Sequence, residues 1–468
     1  MKIALSLIVK NEQRSLLRCL LAAAPLVDLI VIADTGSTDR TKEIIEEFRR
    51  HFDDNDAPLP ESYSKSLSES PSKSPSNSPS ETHGPNRPPV QVYDFPWCND
   101  FSAARNFTLE RAEELGADIH FVLDADEYVL SGSYDSLHEF AARMTARHDN
   151  DWAAMFIRND WYPDPSGSGT GRSANGSSMS GYYTGSERKP PLRCSKELCE
   201  RIFPKGTRYH GIIHEQPTKH SICVQAPVIA DHDGYLHDGL GKGKRNLSYL
   251  LEALKQAPAD PYLHYQTAVT LRNLKRLDES LSYFEQFFEK VCGLFFPESQ
   301  TESDTTASSL PAPDCPGQNA EDSTLPTEDS ALPNVPVYVR DGILRYLYTL
   351  MELGTGETMD LADDIIKMVS DLYADSTDFY FFCGNFYTGY IMQDLMHRSH
   401  LLPRIEQCYQ ACLAIGEKPD RAGVAGTGSF LAAYNLGLWY ELNHQTKKAR
   451  ECYSLAAEYG YAPAKERL

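Results

Sequence analysis

Residues Phe121–Tyr128 read FVLDADEY, in which three apolar residues run directly into three acids within four positions. A buried strand ordinarily stops at a turn residue, so a carboxylate pair at its tip needs either water or a cation. On an extended chain, residues two apart point to the same side. Asp124 and Asp126 would then stand together while Ala125 faces away and Glu127 points to the opposite side. Such a pair at the carboxyl end of a central strand lies where α/β sheets bind ligands. It could hold Mg2+ or Mn2+ through hard oxygen atoms. Taken alone, the triplet is also compatible with a solvated turn.

The segments around it have the period of a βαβ fold. LSLIV and LIVIA (residues 29–33) are short runs rich in Ile and Val, as expected of strands buried on both faces. SLLRCLLAAAPL between them has helical spacing. After Asp34 and the turn-like TGST, DRTKEIIEEFRR is an amphipathic helix with Ser37 or Thr38 as its expected N-cap. The strand VQVYDF, the helix SAARNFTLERAEEL and the strand IHFVLD continue the alternation. A Ser/Pro-rich stretch at about 54–89 and a Gly/Ser-rich one at about 164–190 are expected to be disordered insertions, since neither can bury enough apolar surface to order itself.

From about Lys244 the pattern becomes helical throughout. Ala268, Leu271, Ser280, Phe284 and Phe287 recur at identical offsets as Gly437, Tyr440, Ala449, Tyr453 and Ala456. That spacing matches the tetratricopeptide repeat, a helical hairpin whose small residues let two helices approach closely. A plain helical bundle is the competing reading. An acidic linker, also expected to be disordered, spans about 298–335, where eight acids occur without a Lys or Arg.

Composition narrows the functional classes. The 468 residues exceed what one core organises, so two domains are expected. A net charge of −21 argues against a general nucleic-acid or anionic-membrane binder. Eleven scattered cysteines, an odd number without a Cys-x-x-Cys pair, fit buried thiols in a reducing cytoplasm better than disulfides or a zinc site. The opening MKIALSLIVKNE reads as a first buried strand, and no apolar run is long enough to span a bilayer.

LSLIVKNE, VIADTGSTD, PWCNDFSAARN and FVLDADE occur in that order, each at a strand end or the start of the following helix. Together they resemble family 2 glycosyltransferases of the GT-A fold. RYHGIIHEQP and HDGYLHDGLGKGKRNLSYLLEAL sharpen the resemblance to the bacterial branch carrying tetratricopeptide repeats, which includes enzymes similar to the S-glycosyltransferases of glycopeptide bacteriocins. It extends over roughly residues 1–290 and the C-terminal repeat. It implies an α/β, Rossmann-like GT-A domain over 1–240 and an all-α tetratricopeptide-like domain over 241–468. The implied activity is an inverting, hexosyltransferase-type transfer from a nucleotide-diphosphate sugar, expected to be a UDP-sugar, to a protein, peptide or glycan acceptor.

The resemblance also assigns residues. Asp34 matches the acid that contacts the nucleotide base, and Lys10, Asn11 and Glu12 match the loop lining the same pocket. Arg105 and Asn106 lie on a helix that would face the diphosphate. Asp124 and Asp126 match the motif for a divalent metal, Mn2+ or Mg2+, and the diphosphate, with His232 as a third ligand. Inversion needs a base on the acceptor side, with Glu215 as first candidate and Asp160 as second. Lys242, Lys244 and Arg245 could reach phosphate or form a solvated face. His210 and His214 have helical metal-ligand spacing, but GII between them favours a strand.

A cytoplasmic enzyme whose repeats hold its acceptor is the leading expectation, with a homodimer left open. The alternatives are a catalytically silent tetratricopeptide adaptor and a nucleotidyltransferase on a GT-A-like fold. A glycosidase is disfavoured, because residues two apart on one strand do not flank a glycosidic bond.

Overall fold

In the computed structural model, the described residues are 1–53, 87–163, 192–236, 240–295, 335–418 and 421–468. The stretches expected to be disordered lie outside them except for 87–89 and 335. The chain forms two compact units, one built from Met1–Pro163 and Cys194–Gly239 and the other from Leu240–Pro419 and Gly423–Leu468.

The first unit opens with β1 (Ile3–Val9), α1 (Leu16–Ala23), β2 (Leu29–Asp34), α2 (Thr41–Asp53) and β3 (Val90–Asp94). It continues with α3 (Phe101–Glu114), β4 (Ile119–Val122), β5 (Glu127–Ser131), α4 (Tyr134–His148), β6 (Trp152–Pro163) and β7 (Leu192–Pro204). Two short strands, β8 (Tyr209–His210) and β9 (Gln216–Pro217), precede β10 (Ile222–His232). The main sheet runs β3-β2-β1-β4-β7-β6-β10-β5. β3, β2, β1 and β4 are parallel neighbours, β7 runs antiparallel to β4, and β10 is parallel to β6 but antiparallel to β5.

All six residues of β2 are buried, and β1 is buried except for the partly covered Ile8. That follows from their central place, where both faces are covered and an unbroken Ile/Val/Leu run is favoured over alternation. The strand order reverses between β1 and β4. Crevices at such reversals open at the carboxyl ends of the strands, and here those ends carry Lys10–Glu12, Asp34 and the acids after β4.

Two local expectations change. Ser37 and Thr38 do not cap α2. Asn11 holds them instead, its amide N–H donating to Ser37 Oγ at 3.0 Å and its Oδ1 accepting from the Thr38 amide at 2.8 Å. Asp39 takes the first turn of α2, with Oδ1 accepting from the Thr41 amide at 3.0 Å. GIIH is not a strand either, since pairing is confined to Tyr209–His210 against Gln216–Pro217. Gly211 and His214 have φ of +100° and +49°, which breaks the extended run between them.

The second unit is a set of helical hairpins. Pro261–Asn273 packs on Leu277–Phe295, Thr377–Gln393 on Leu402–Ile415, and Phe430–Leu442 on Thr446–Glu458. The repeated small positions do what their size allows. A Cβ on Gly437 would come within 2.6 Å of the Tyr453 ring, and Gly384, outside the repeated set, is held small in the same way, since a Cβ there would come within 2.7 Å of Tyr409. Ser280 is fully buried and donates its hydroxyl to the Ala268 carbonyl at 2.8 Å. No helix among the described residues is long and apolar enough to cross a membrane.

Candidate functional site

The sheet places Asp34 at the end of β2, opposite Val9 on one side and Asp94 on the other. It is 1% exposed. Its Oδ1 accepts from the amides of Gly36 at 2.9 Å and Ser37 at 2.8 Å, which fixes the carboxylate. Its Oδ2 is buried without a partner among the described residues. An unpartnered carboxylate oxygen in such a place is an acceptor awaiting an N–H or O–H donor.

The β1 loop beside it is held from its own backbone. Asn11 sits at φ +57° and bridges to Ser37 and Thr38, as described, and the Glu12 amide donates to Thr41 Oγ1 at 2.8 Å. Glu12 Oε2 accepts from Ser15 Oγ at 2.9 Å. Asn11 and Glu12 are thus spent on joining the two loops that border Asp34, and Lys10 remains exposed next to them.

The DADE segment departs from the extended geometry that its sequence suggests. β4 ends at Val122 and Ala125–Asp126 form a turn, so the two aspartates do not share a strand face. The cause is Glu127. Rather than pointing away, it is fully buried, and its Oε2 accepts from the Asp124 amide at 2.9 Å. Its Oε1 accepts from Arg158 at 2.9 Å. A buried carboxylate must find such partners, and finding them folds the acidic stretch back on itself.

The two aspartates consequently have different neighbours. Asp126 Oδ2 lies 3.5 Å from His232 Nε2, and His232 Nδ1 lies 2.7 Å from Asp160 Oδ1. Both contacts come from register, because His232 is paired with Asp160 across β6 and with Glu127 across β5. Burial works against protonation of His232, but its bonds to Asp126 and Asp160 outweigh burial and push the imidazole up to about 10. Asp160 is fully buried and gripped by Arg158, whose Nε reaches Oδ1 at 2.8 Å and Nη2 reaches Oδ2 at 3.1 Å. With both oxygens engaged, Asp160 orients His232 and is not placed to receive a proton from an acceptor.

The donor set fits a cation between Asp126 and His232, provided that the ion takes the place of the Nε2 proton. An oxygen and an imidazole nitrogen 3.5 Å apart can both reach one small divalent ion at about 2.1 Å. A carboxylate behind a ligating histidine is the usual outer support of such a site. Gly234 keeps the space open, since a Cβ there would stand 2.2 Å from Asp126 Oδ2 and 2.6 Å from His232 Nε2. Among the described residues, however, no three His, Cys, Asp or Glu side chains converge on one point. Asp124 is turned elsewhere, so the expected three-ligand set is not assembled.

Asp124 meets arginines. Arg105 Nη2 donates to its Oδ1 at 2.6 Å and Arg201 Nη2 to its Oδ2 at 2.9 Å. Burial would raise its pKa, but the two guanidiniums hold the carboxyl well below the ordinary range. Arg105 Nε also donates to Glu215 Oε1. The ion pair places Glu215 beside Asp124's partner, on the loop between the two short strands. Asn106 turns aside, with its amide donating to the Tyr209 carbonyl at 2.9 Å and accepting from the Tyr209 amide at 2.7 Å. It therefore anchors β8. His210 is exposed, with Nε2 3.4 Å from Thr218 Oγ1, and the chain turns at His214, so the two histidines do not have the helical spacing of a ligand pair.

Arg201, Arg158, Arg18 and Gly234 were not singled out from the sequence. An arginine inside a strand-length apolar segment, as in AAMFIRND and LCERIF, is a usable signal, because a buried guanidinium requires buried acids. Arg18 obeys it too: it pairs with Asp233 and lies 3.7 Å above the Tyr128 ring, pinning the segment after His232. Lys242, Lys244 and Arg245 belong to the second unit, on the helix Leu240–Gln256.

No protein-family profile matches the chain, and no curated protein matches it. Among solved structures, it is similar to MamA from Desulfovibrio magneticus at 15% identity, over 47% of this chain and 85% of that one, with a TM-score of 0.30. It is similar to Staphylococcus aureus TarS 1–349, solved with UDP-GlcNAc, at 13% identity over 62% and 81%, with a TM-score of 0.28. The tetratricopeptide-repeat protein TTC0263 of Thermus thermophilus matches at 15% identity over 49% and 89%, again with a TM-score of 0.28. These likenesses are too distant to carry an assignment, which rests on the side-chain geometry.

Proposed function

We propose that the first unit is an inverting glycosyltransferase that takes a sugar from a nucleotide-diphosphate donor, with UDP as the nucleotide, to a protein, peptide or glycan acceptor. The observation carrying this reading is the pairing, at the carboxyl ends of the strands, of a buried carboxylate having one free oxygen, Asp34 Oδ2, with the Asp126–His232–Gly234 cradle.

Asp34 Oδ2 accepts an N–H from the base. Asp126 and His232 hold the divalent ion, Mn2+ or Mg2+, and Asp160 orients His232. When bound, the ion stabilises the negative charge that develops on the leaving diphosphate. Glu215 removes the proton of the attacking acceptor group as that group bonds to the anomeric carbon. The bond from that carbon to the phosphate oxygen breaks, and its electron pair leaves with the diphosphate. The helical hairpins of the second unit serve as the acceptor-holding surface, a use to which concave helical repeats are suited.

Calorimetric titration with UDP tests the site. Binding should strengthen with Mn2+ and lose that gain in Asp126→Ala and His232→Ala; binding of equal strength with and without metal would sink the assignment. Intact-mass measurement of candidate acceptors incubated with UDP-sugars separates the chemistries, since a sugar-sized increment supports transfer and a nucleotide-sized one supports nucleotidyl transfer.

A further inference from the structure

Two arginines meet on one carboxylate. Arg105 from α3 and Arg201 from β7 each spend Nη2 on Asp124, one per oxygen. Each guanidinium keeps its Nη1 buried without a partner among the described residues, and the Tyr209 hydroxyl is in the same condition. Arg105 and Tyr209 are 5% and 3% exposed. The Arg105 guanidinium carbon lies 5.5 Å from the Tyr209 ring centre.

Buried donors without acceptors are disfavoured, and a guanidinium fork matches an oxyanion that can accept two parallel bonds. Asp124 offers only two oxygens to two forks. A diphosphate offers more, enough to reach Nη1 on both. The other acids here do not fill the need: Glu215 is bound at Arg105 Nε, and Glu127 Oε1, which lies 3.8 Å from Arg201 Nη2, is already held by Arg158. With Asp124 displaced, Nη2 of both guanidiniums is released to an incoming anion as well.

Resting on the nucleotide-sugar reading, we propose that Arg105 and Arg201 form an oxyanion cradle for the donor's diphosphate, in which Asp124 occupies the phosphate position until the donor arrives. Displacement then frees Asp124 for the cation side of the site. Arg201 is thereby a donor-binding residue, and Asp124 competes with the anion before it serves the cation. Anion and cation loading become coupled, each favouring the arrangement the other needs.

The coupling has signs that a merely structural ion pair lacks. Inorganic pyrophosphate is titrated calorimetrically into the full chain in metal-free, chelator-treated buffer. Wild type should bind, and Arg201→Gln should weaken binding about tenfold or more, with Arg201→Lys intermediate because it keeps the charge and loses the fork. Asp124→Asn should tighten pyrophosphate binding about fivefold or more by removing the competing charge. Mn2+ alone, followed by electron paramagnetic resonance, should bind Arg201→Gln more tightly than wild type. Unchanged pyrophosphate binding in Arg201→Gln, or weaker binding in Asp124→Asn, overturns the proposal. If Arg201→Gln proves unfolded by circular dichroism, the sign of the Asp124→Asn effect decides. UDP with Mn2+ binding wild type and Arg201→Gln equally would remove the cradle and leave the donor reading intact. Pyrophosphate behaving as expected while UDP binds no tighter than pyrophosphate would do the reverse.

Discussion

His232 Nδ1 lies 2.7 Å from the fully buried carboxylate of Asp160, which leaves Nε2 directed at Asp126. The ring is thus oriented from behind, and removing the support should show at the front. Asp160→Asn is expected to weaken Mn2+ binding by about 10- to 100-fold. Mn2+ titration followed by electron paramagnetic resonance measures it, and an unchanged affinity would count against a supporting role.

Gly234 gives a cleaner separation of site from fold. Its φ is not in the left-handed range, so alanine is tolerated by the backbone. The new Cβ would stand 2.2 Å from Asp126 Oδ2 and push the carboxylate away. Gly234→Ala should remove the Mn2+-dependent part of UDP binding, and it should leave the thermal midpoint within a few degrees of wild type, since the atoms it displaces are the ends of the Asp126 and His232 side chains and not backbone. A large fall in midpoint would show that the glycine serves packing instead.

Asp34 is expected to select the base. Asp34→Asn keeps an oxygen for the Gly36 and Ser37 amides but puts an N–H₂ where Oδ2 now stands. A donor facing a donor, in place of a made hydrogen bond, should weaken uridine and UDP binding by about 10-fold or more. Pyrophosphate binding should be unaffected, and a parallel loss of both would place the effect in folding.

The second unit carries a pH-dependent term. Asp378 is partly buried, and the loss of water around it pushes its carboxyl up to about 6 despite bonds from Thr427 Oγ1 and the Val424 amide. The folded state therefore holds this proton more tightly than the unfolded chain, whose carboxyl titrates near 3.9. The resulting stability is complete below about pH 4 and is lost as pH rises through about 6, a change of about 3 kcal/mol. Asp378→Asn should thus be more stable than wild type at pH 7.5 and lose that advantage at pH 4.5. Urea melts of both proteins at the two pH values measure it, and a variant less stable at both would show that the carboxylate itself is needed.

Much of the first unit was legible along the chain, because β1, α1, β2, α2 and β3 are each short segments whose buried faces are declared by local periodicity. So was Asp34, at the point where an apolar run meets a Gly-containing turn. The repeated small position Gly437 was also readable, and it must be small because the Tyr453 ring of the partner helix crosses it. What the local pattern mistook was DADE. An extended strand would have put Asp124 and Asp126 side by side, and only the tertiary structure reveals that Glu127 turns inward to Arg158, 31 residues away.

That difference has one physical origin. Period and turn chemistry act between neighbours, so the residues themselves determine strands, helices and where a carboxyl end falls. Buried charge obeys a non-local rule, since each ion must be matched by whichever opposite charge the fold delivers. Arg201 reaches Asp124 across 77 positions, and His232 reaches Asp160 across 72. The sequence alone therefore determined that acids cluster at the end of a central strand, and the assembled sheet alone decided that Asp126 faces a histidine while Asp124 faces two arginines.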